Sequence, residues 1–257
     1  MHKKASRLSR FLPGVLTLVA AVALWEVAVR AFAISPILLP APSAVWQEFL
    51  RAPSYFLYNA GITLGVTLIG FLLSVLFGVL LAIVIVSSKS LERPIFSLLV
   101  ALNSIPKVAL APLFVVWMGI GPEPKIAIAV MLAIFAIVID TVLGLRSVDP
   151  DMINLARVGR ASAWQILVKV RLPCALPSIF AGLKVAISLA LIGTIIGEFV
   201  GSSSGLGFAI LTAQGQFDTP SLFVSLVLLI AMGSLLFSLM ETIERLSIPW
   251  HASVRSH

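Results

Sequence analysis

Few residues of the chain are of types that carry out covalent catalysis or bind metals. The positions of these residues argue against a catalytic pair, a disulfide and a metal site. All three histidines, His2, His251 and His257, lie at the termini, so none pairs with an acid or a serine at membrane depth. A single cysteine, Cys174, rules out an internal disulfide. The sequence therefore predicts neither a metal site nor the paired catalytic groups of an intramembrane enzyme.

Residues 201–207, GSSSGLG, form a glycine-rich stretch of the kind that cradles phosphate. A P-loop requires a lysine followed by Ser or Thr at its end, before a helix, and no lysine follows Gly207. We interpret the stretch as a turn or gate. The chain carries no Walker motif, so any ATP hydrolysis must occur on another polypeptide, and we expect this chain not to be an enzyme.

Three charged residues interrupt apolar segments: Asp140, Lys184 and Glu198. A charge at the centre of a membrane helix costs about 2.5–3.5 kcal/mol on insertion scales, so such residues usually face protein or a water-filled path. Lys184 lies near the inner end of its apolar run, from which it can snorkel. Glu198 lies near the outer end, where a solute would enter, and is our candidate for a translocation path.

The composition indicates that lipid surrounds most of the chain. Of 257 residues, 60% are hydrophobic and 11% charged, against about 25% charged residues in soluble proteins. Each apolar run is long enough to cross a hydrocarbon core as a helix, the structure that satisfies every backbone group in lipid. We expect an all-α membrane protein with one transmembrane domain spanning residues 1–257.

The apolar runs predict about six spans, at residues 11–34, 59–86, 94–120, 125–145, 178–200 and 221–241. The first run is longer than a signal-peptide core and contains Glu26 and Arg30, so we interpret it as a span. Between the first two spans, Ser43 is expected to cap a short helix on the outer surface. In the third, Pro106 with Asn103 either kinks the helix or opens it toward a lumen; a plain kink is slightly favoured.

Lysine and arginine concentrate in segments that this arrangement places on one side of the membrane. They occur at residues 3–10, 89–93, 146–171 and 245–255, and the net charge is +7. Because cytoplasmic loops of membrane proteins collect such residues, we expect both termini in the cytoplasm, with residues 1–10 as a cytoplasmic tail. The segment 146–177 then forms a long cytoplasmic loop between the fourth and fifth spans.

Local signals divide this loop into two helices. Asp149, followed by Pro150, opens the first, and Gly159 ends it. Ser162 and Gln165 have the spacing of a capping box that opens the second. Pro173 and Pro177 are expected to stop that helix after about residue 170. The apolar faces at Ile153, Leu155, Trp164, Ile166 and Leu167 suit either a membrane surface or a partner protein.

Residues 154–177, NLARVGRASAWQILVKVRLPCALP, resemble the EAA loop of bacterial ATP-binding-cassette (ABC) importer permeases. Three further segments are similar to the nitrate, sulfonate and taurine branch of these permeases: residues 39–46, 105–125 and 198–208. The chain is thereby identified as a member of the type I, MetI-like permeases. The resemblance implies a bacterial inner-membrane homodimer, two cytoplasmic ATPase subunits that hold ATP and magnesium, and an extracytoplasmic solute-binding protein. It implies no cofactor in this chain.

In that family the EAA loop docks in a groove of the ATPase. The matching positions here are Asn154, Ala156, Gly159, Arg160, Ala161, Ser162, Trp164 and Pro173. Two of them depart from the family pattern. Asn154 replaces an acidic residue, and the central glycine aligns with Arg160 while the glycine of this chain stands one place earlier. We expect Gly159 to supply the turn, with a possible rotation of the coupling helix.

For the translocation path the candidates are Asn103, Pro106 and Glu198. The sequence around Pro106 is closest to permeases linked to pyrimidine, thiamine-precursor or riboflavin uptake, while nitrate, sulfonates and taurine remain open. The alternative function is a secondary transporter without an ATPase. That class predicts inverted repeats and ion ligands at the midplane, and the sequence shows neither.

Overall fold

The computed structural model describes residues 7–88, 94–95, 97–98, 101 and 103–249, and the regular elements among them are all helices. The predicted all-α class is confirmed. The helices are α1 (Arg7–Ala31), α2 (Pro42–Arg51), α3 (Pro53–Ser87), α4 (Lys107–Met118), α5 (Pro122–Arg146), α6 (Pro150–Val158), α7 (Ala163–Gly201), α8 (Leu206–Gly215) and α9 (Thr219–Ser247). Residues 1–6 of the expected cytoplasmic tail lie outside the described residues. So do residues 89–93 and residues 250–257.

Four of the described helices are long and apolar enough to cross a membrane: α3, α5, α7 and α9. α1 covers the predicted first span. In the third span the described residues before position 104 are helical, and the 12-residue helix α4 begins separately at Lys107. The described chain therefore gives four qualifying spans where the sequence predicted about six.

Small residues bring the central helices α3, α5 and α7 into close contact. A Cβ atom added to Gly193 of α7 would lie 2.6 Å from Ala129 Cα of α5, and one added to Gly70 of α3 would lie 2.6 Å from Ala129 Cβ. In lipid, helices associate through such close packing, because water supplies no hydrophobic drive between them. Ala133 and Ile187 continue this core, and α9 packs against its outer side.

The third span is broken at Pro106, so the prediction of a plain kink is wrong. Residues 104–106 are not helical, and Pro106 is the residue that precedes α4. Proline lacks the N–H that would continue a helix, and it disfavours helical geometry in the residue before it. Pro112, by contrast, lies inside α4 without ending it.

The predicted stop at Pro173 and Pro177 is also wrong, since α7 runs without interruption from the loop into the membrane. Its residues Leu167–Arg171 form a π-helical segment that ends two positions before Pro173. A π turn rearranges the backbone hydrogen bonds locally, so that the missing proline N–H is less disruptive there. Beyond the prolines the helix packs closely on α5, because a Cβ on Gly144 of α5 would lie 2.8 Å from Ser178 Cβ.

Two further features differ from the prediction at the end of the bundle where α3 begins. Ser43 does not cap α2; Ala41 does, without a side-chain hydrogen bond. The Ser43 N–H and hydroxyl instead donate to the Glu26 carboxylate, at 3.0 and 2.8 Å, which fastens α2 to α1. The short helix α8, which begins within the glycine-rich stretch at Leu206, was not predicted.

The two loops of functional interest lie at opposite ends of the bundle. At one end, Ser87 of α3 borders the same cavity as Arg157 and Trp164. At the other end, Thr63 of α3 contacts Glu198 and Leu206. The segment 146–177 and the glycine-rich stretch at residues 201–207 therefore lie at opposite ends of the bundle.

Candidate coupling loop and translocation path

The first helix of the loop begins as its sequence predicts. Asp149 is the residue before α6, and its carboxylate accepts the N–H of Asp151 at 2.9 Å. Pro150 occupies the first turn, where its missing N–H costs nothing. The helix buries none of its residues, and Asn154 and Leu155 lie on its exposed surface.

The turn after α6 places its left-handed residue at Arg160 rather than at Gly159. Arg160 has φ +56°, whereas Gly159 has φ −71°. The N–H of Arg160 donates to the Arg157 carbonyl at 2.9 Å, and the N–H of Ala161 to the Ala156 carbonyl at 3.0 Å. These two bonds form a Schellman motif, in which the left-handed position is usually glycine.

The expectation that Gly159 supplies the turn is therefore wrong. The turn keeps the position of the family's glycine, and an arginine occupies it. Because the left-handed residue has not moved, the departure in sequence gives no reason for α7 to start in a rotated orientation.

The predicted capping box at the start of α7 is confirmed. The Ser162 hydroxyl accepts the N–H of Gln165 at 3.2 Å, and the Gln165 side chain accepts the N–H of Ser162 at 2.8 Å. Both bonds satisfy N–H groups that have no partner within the helix. The capping box thus fixes the start of α7 directly after Ser162.

The hairpin of α6 and α7 leaves its tip uncovered. Trp164 is 69% exposed, whereas Ile166 and Leu167 are buried against the bundle. A cavity of about 530 Å³ separates the hairpin from the end of α3, and Arg157 and Arg171 contribute to its lining. Of the predicted coupling residues, Ala156 and Ala161 are half-buried and the others, including Pro173 further along α7, are exposed.

Asn103 and Pro106 both lie on the exposed surface of the chain at the break before α4. The Lys107 ammonium group donates to Asn103 Oδ1 and lies 5.7 Å from the centre of the Phe135 ring. These contacts hold an uncoiled stretch of backbone at the surface of the protomer.

Glu198 does not lie with these two residues and does not face an open path in this structure. It is 1% exposed. Its carboxylate accepts the Thr63 hydroxyl at 2.8 Å and the N–H of Gly207 at 2.7 Å. Sequence reasoning missed Asn59 and Thr63, whose spacing of four with Thr67 marks a polar stripe on the otherwise apolar α3.

Two other charged residues within the spans lie against neighbouring helices. Lys184, which could snorkel on the evidence of its sequence position, pairs with Glu244 of α9 at 2.8 Å. Asp140 lies against Gly182, where an added Cβ would be 2.8 Å from Asp140 Cβ. Both contacts connect neighbouring helices.

The family model described as "Binding-protein-dependent transport system inner membrane component" matches residues 74–249. The formylaminopyrimidine transport permease protein ThiX of Halalkalibacterium halodurans is 33% identical over 228 residues, 88% of this chain and 91% of the relative. The riboflavin transport system permease protein RibX of Chloroflexus aurantiacus is 35% identical over 240 residues, 93% of this chain and 90% of the relative.

A sulfonate relative and a solved structure extend these similarities. The aliphatic sulfonates transport permease protein SsuC of Bacillus subtilis, described as putative, is 30% identical over 246 residues, 95% of this chain and 89% of the relative. An inward-facing structure of the MetNI methionine ABC transporter has a TM-score of 0.67 at 21% identity. That match covers 76% of this chain and 97% of the MetNI chain, and it shows a shared fold.

Proposed function

We propose, for a chain that belongs to the family of binding-protein-dependent transport system inner membrane components, that the α6–α7 hairpin docks a separate ATPase. The chain is the permease component of an ABC importer. In this proposal ATP is hydrolysed on two cytoplasmic partner subunits, and an extracytoplasmic binding protein delivers the solute. ATP binding shifts the permease between two orientations through the difference in partner affinity for each.

The observation that carries the docking proposal is an exposed apolar tip on a rigidly capped hairpin. Leu155, Val158 and Trp164 are all exposed there. The Schellman turn at Arg160 and the capping box at Ser162 fix these side chains relative to one another. Exposed, preorganised aromatic groups are typical anchors of protein interfaces.

The test is copurification of the ATPase with a Trp164→Ala variant. Loss of an anchor of this kind costs about 2 kcal/mol or more, so we expect at least a roughly 30-fold weaker association. Trp117→Ala is the matched control, because Trp117 is also 69% exposed but lies at the opposite end of the bundle. Equal retention of the ATPase by both variants would contradict the docking role.

We also propose that two copies of the chain form the pore and that Asn103 and Pro106 line it. The break before α4 supports this. α4 ends beside the start of α5 and extends about 18 Å from there, so the break falls near the middle of a roughly 30 Å hydrocarbon core. Uncoiled backbone at that depth occurs only where protein covers it or where it lines a water-filled cavity. In the single chain residues 103–106 are exposed.

Crosslinking tests the dimer. Cysteines introduced at Asn103 in a Cys174→Ser background are expected to form an intersubunit disulfide in native membranes. Cysteines at Leu143, on an exposed face of α5, serve as the comparison. Absence of the Asn103 crosslink together with a monomeric mass in detergent would overturn the homodimer.

For the solute we propose a small nitrogen heterocycle of the kind that the names of ThiX and RibX specify. Both relatives are somewhat more similar to this chain than the sulfonate relative is. Binding-protein-dependent uptake of labelled formylaminopyrimidine, riboflavin and an alkanesulfonate decides the matter. Uptake of the sulfonate alone would contradict the proposal.

A further inference from the structure

A buried network of polar side chains holds the amino end of α8. The N–H groups of residues 205–207 are consecutive, and each donates to a side chain of α3 or α7. Their acceptors are Asn59 Oδ1 at 2.7 Å, Thr63 Oγ1 at 2.8 Å and Glu198 Oε2 at 2.7 Å, in that order. Since these N–H groups open a helix, they lack acceptors within α8.

The three acceptors are themselves connected and held. The Thr63 hydroxyl donates to Glu198 Oε1 at 2.8 Å, and the Asn59 amide donates to the Tyr55 carbonyl at 2.9 Å. Asn59, Thr63 and Glu198 are all buried. A buried polar group that loses its partner has no water to replace it, so each bond in this network is costly to break.

Glycine permits the close approach on which the network depends. Gly205 has φ +107°, and a Cβ atom there would fall 2.1 Å from Glu198 Oε1. A Cβ on Gly207 would lie 2.8 Å from Glu198 Cβ. The glycine-rich stretch thus lets the backbone reach a buried carboxylate, rather than binding phosphate.

We infer that Asn59, Thr63 and Glu198 are positioning residues for solute translocation. They clamp α8 onto α3 and α7, so that these helix ends move as one unit when the permease changes orientation. α8 also borders a cavity of about 280 Å³ with Tyr55 and Asp218, at the end where the binding protein delivers the solute in the proposed function. The inference therefore rests on that function.

The test compares Thr63→Val with two controls in the permease assembled with its ATPase and binding protein in proteoliposomes. Thr63→Val removes the acceptor of the Leu206 N–H and the donor to Glu198. Thr67→Val removes a hydroxyl from the same buried face, one that donates to Thr194 and is not the acceptor of any N–H group at residues 205–207. Thr63→Ser keeps the hydroxyl.

Hydrogen exchange of the amides at residues 205–207 and solute imported per ATP hydrolysed are both measured. For Thr63→Val we expect about tenfold faster exchange and a severalfold fall in solute imported per ATP, with the ATPase still bound. Thr67→Val and Thr63→Ser should stay close to the wild type in both measurements.

Equal exchange in Thr63→Val and Thr67→Val would overturn the inference. So would unchanged import per ATP in a Thr63→Val protein with faster exchange. If Thr63→Val does not fold, Asn59→Leu is the second variant: it removes the acceptor of the Gly205 N–H and the donor to the Tyr55 carbonyl but leaves the Thr63–Glu198 bond in place, and the same two readouts decide. Failure of the ATPase to copurify with the wild type would count against the proposed function and leave the exchange measurement valid.

Discussion

Arg160 occupies a backbone position that favours glycine, so substitutions there should separate backbone geometry from charge. We expect Arg160→Gly to keep or slightly raise stability, because it relieves the left-handed conformation. Arg160→Val should lower stability by about 1–3 kcal/mol, since a β-branched residue is strained at positive φ. Thermal unfolding in detergent measures both.

Gly159→Ala is the control and should change stability little, because its added Cβ would be 3.4 Å from the nearest atom, the Ala156 carbonyl oxygen. A larger loss for Gly159→Ala than for Arg160→Val would contradict the observed turn.

The ion pair of Lys184 and Glu244 predicts a strongly non-additive double mutant. The two side chains are 24% and 10% exposed, so water screens the pair only in part. Lys184→Met alone leaves Glu244 without its cation and should cost about 1–3 kcal/mol, discounted from the 3–5 kcal/mol of fully buried pairs. Adding Glu244→Gln should recover part of that loss. A double-mutant cycle measured by unfolding in detergent tests this, and additive losses would show that the pair contributes nothing.

At the level of residues, local signals were predictable and tertiary partners were not. The Asp149 cap and the Ser162 capping box depend on residues within three positions of each other, so the sequence alone specifies them. Glu198 was correctly singled out as an unusual charge, but its partner Thr63 lies 135 residues away. Only the packing of α3 against α7 brings the two together.

Among the helices, the close contact of α5 with α7 predicts that the same substitution has different effects on stability at two glycines. Gly193→Ala should lower stability by about 1–3 kcal/mol, because the added methyl group would overlap the α5 backbone. Gly65→Ala adds a methyl group with nothing within 4 Å and should be neutral or stabilising by up to about 1 kcal/mol. Unfolding of the two purified variants in one detergent provides the comparison. Equal effects would mean that α5 and α7 do not pack this closely.

Helix boundaries were harder to predict than the presence of helices. Proline disfavours a helix through its own backbone, so Pro106 and Pro173 give the same local signal. Pro106 ends helical structure on an exposed surface, whereas Pro173 follows a π turn in a helix that packs on α5 beyond it. Tertiary packing decides whether a proline ends a helix or lies within it, and the local sequence does not specify that packing. The helix α8 was missed because its first two residues belong to the glycine-rich stretch, which we interpret from the sequence alone as a turn.

For the whole molecule, composition and charge predicted the class of protein because both reflect the solvent around the chain. The apolar content specifies lipid, and the basic residues at 146–171 distinguish one end of the bundle from the other. Composition and charge do not predict which spans pack against one another. That packing depends on small residues such as Gly70 and Ala129. They permit close contact, but their sequence positions do not indicate which helix lies against them.

The orientation of the whole molecule is the last prediction, and it determines which partners each end can meet. Moving the five basic residues of the segment 146–171 across the membrane is unfavourable, so this end should face the cytoplasm. In a Cys174→Ser background, Ser203→Cys should react with a membrane-impermeant maleimide in intact spheroplasts. Arg160→Cys should react only after the membrane is permeabilised. Both side chains are exposed, so access to the reagent depends on the side of the membrane. The reverse pattern would place the α6–α7 hairpin outside and remove the basis for ATPase docking, and labelling of both from one side would contradict the fold.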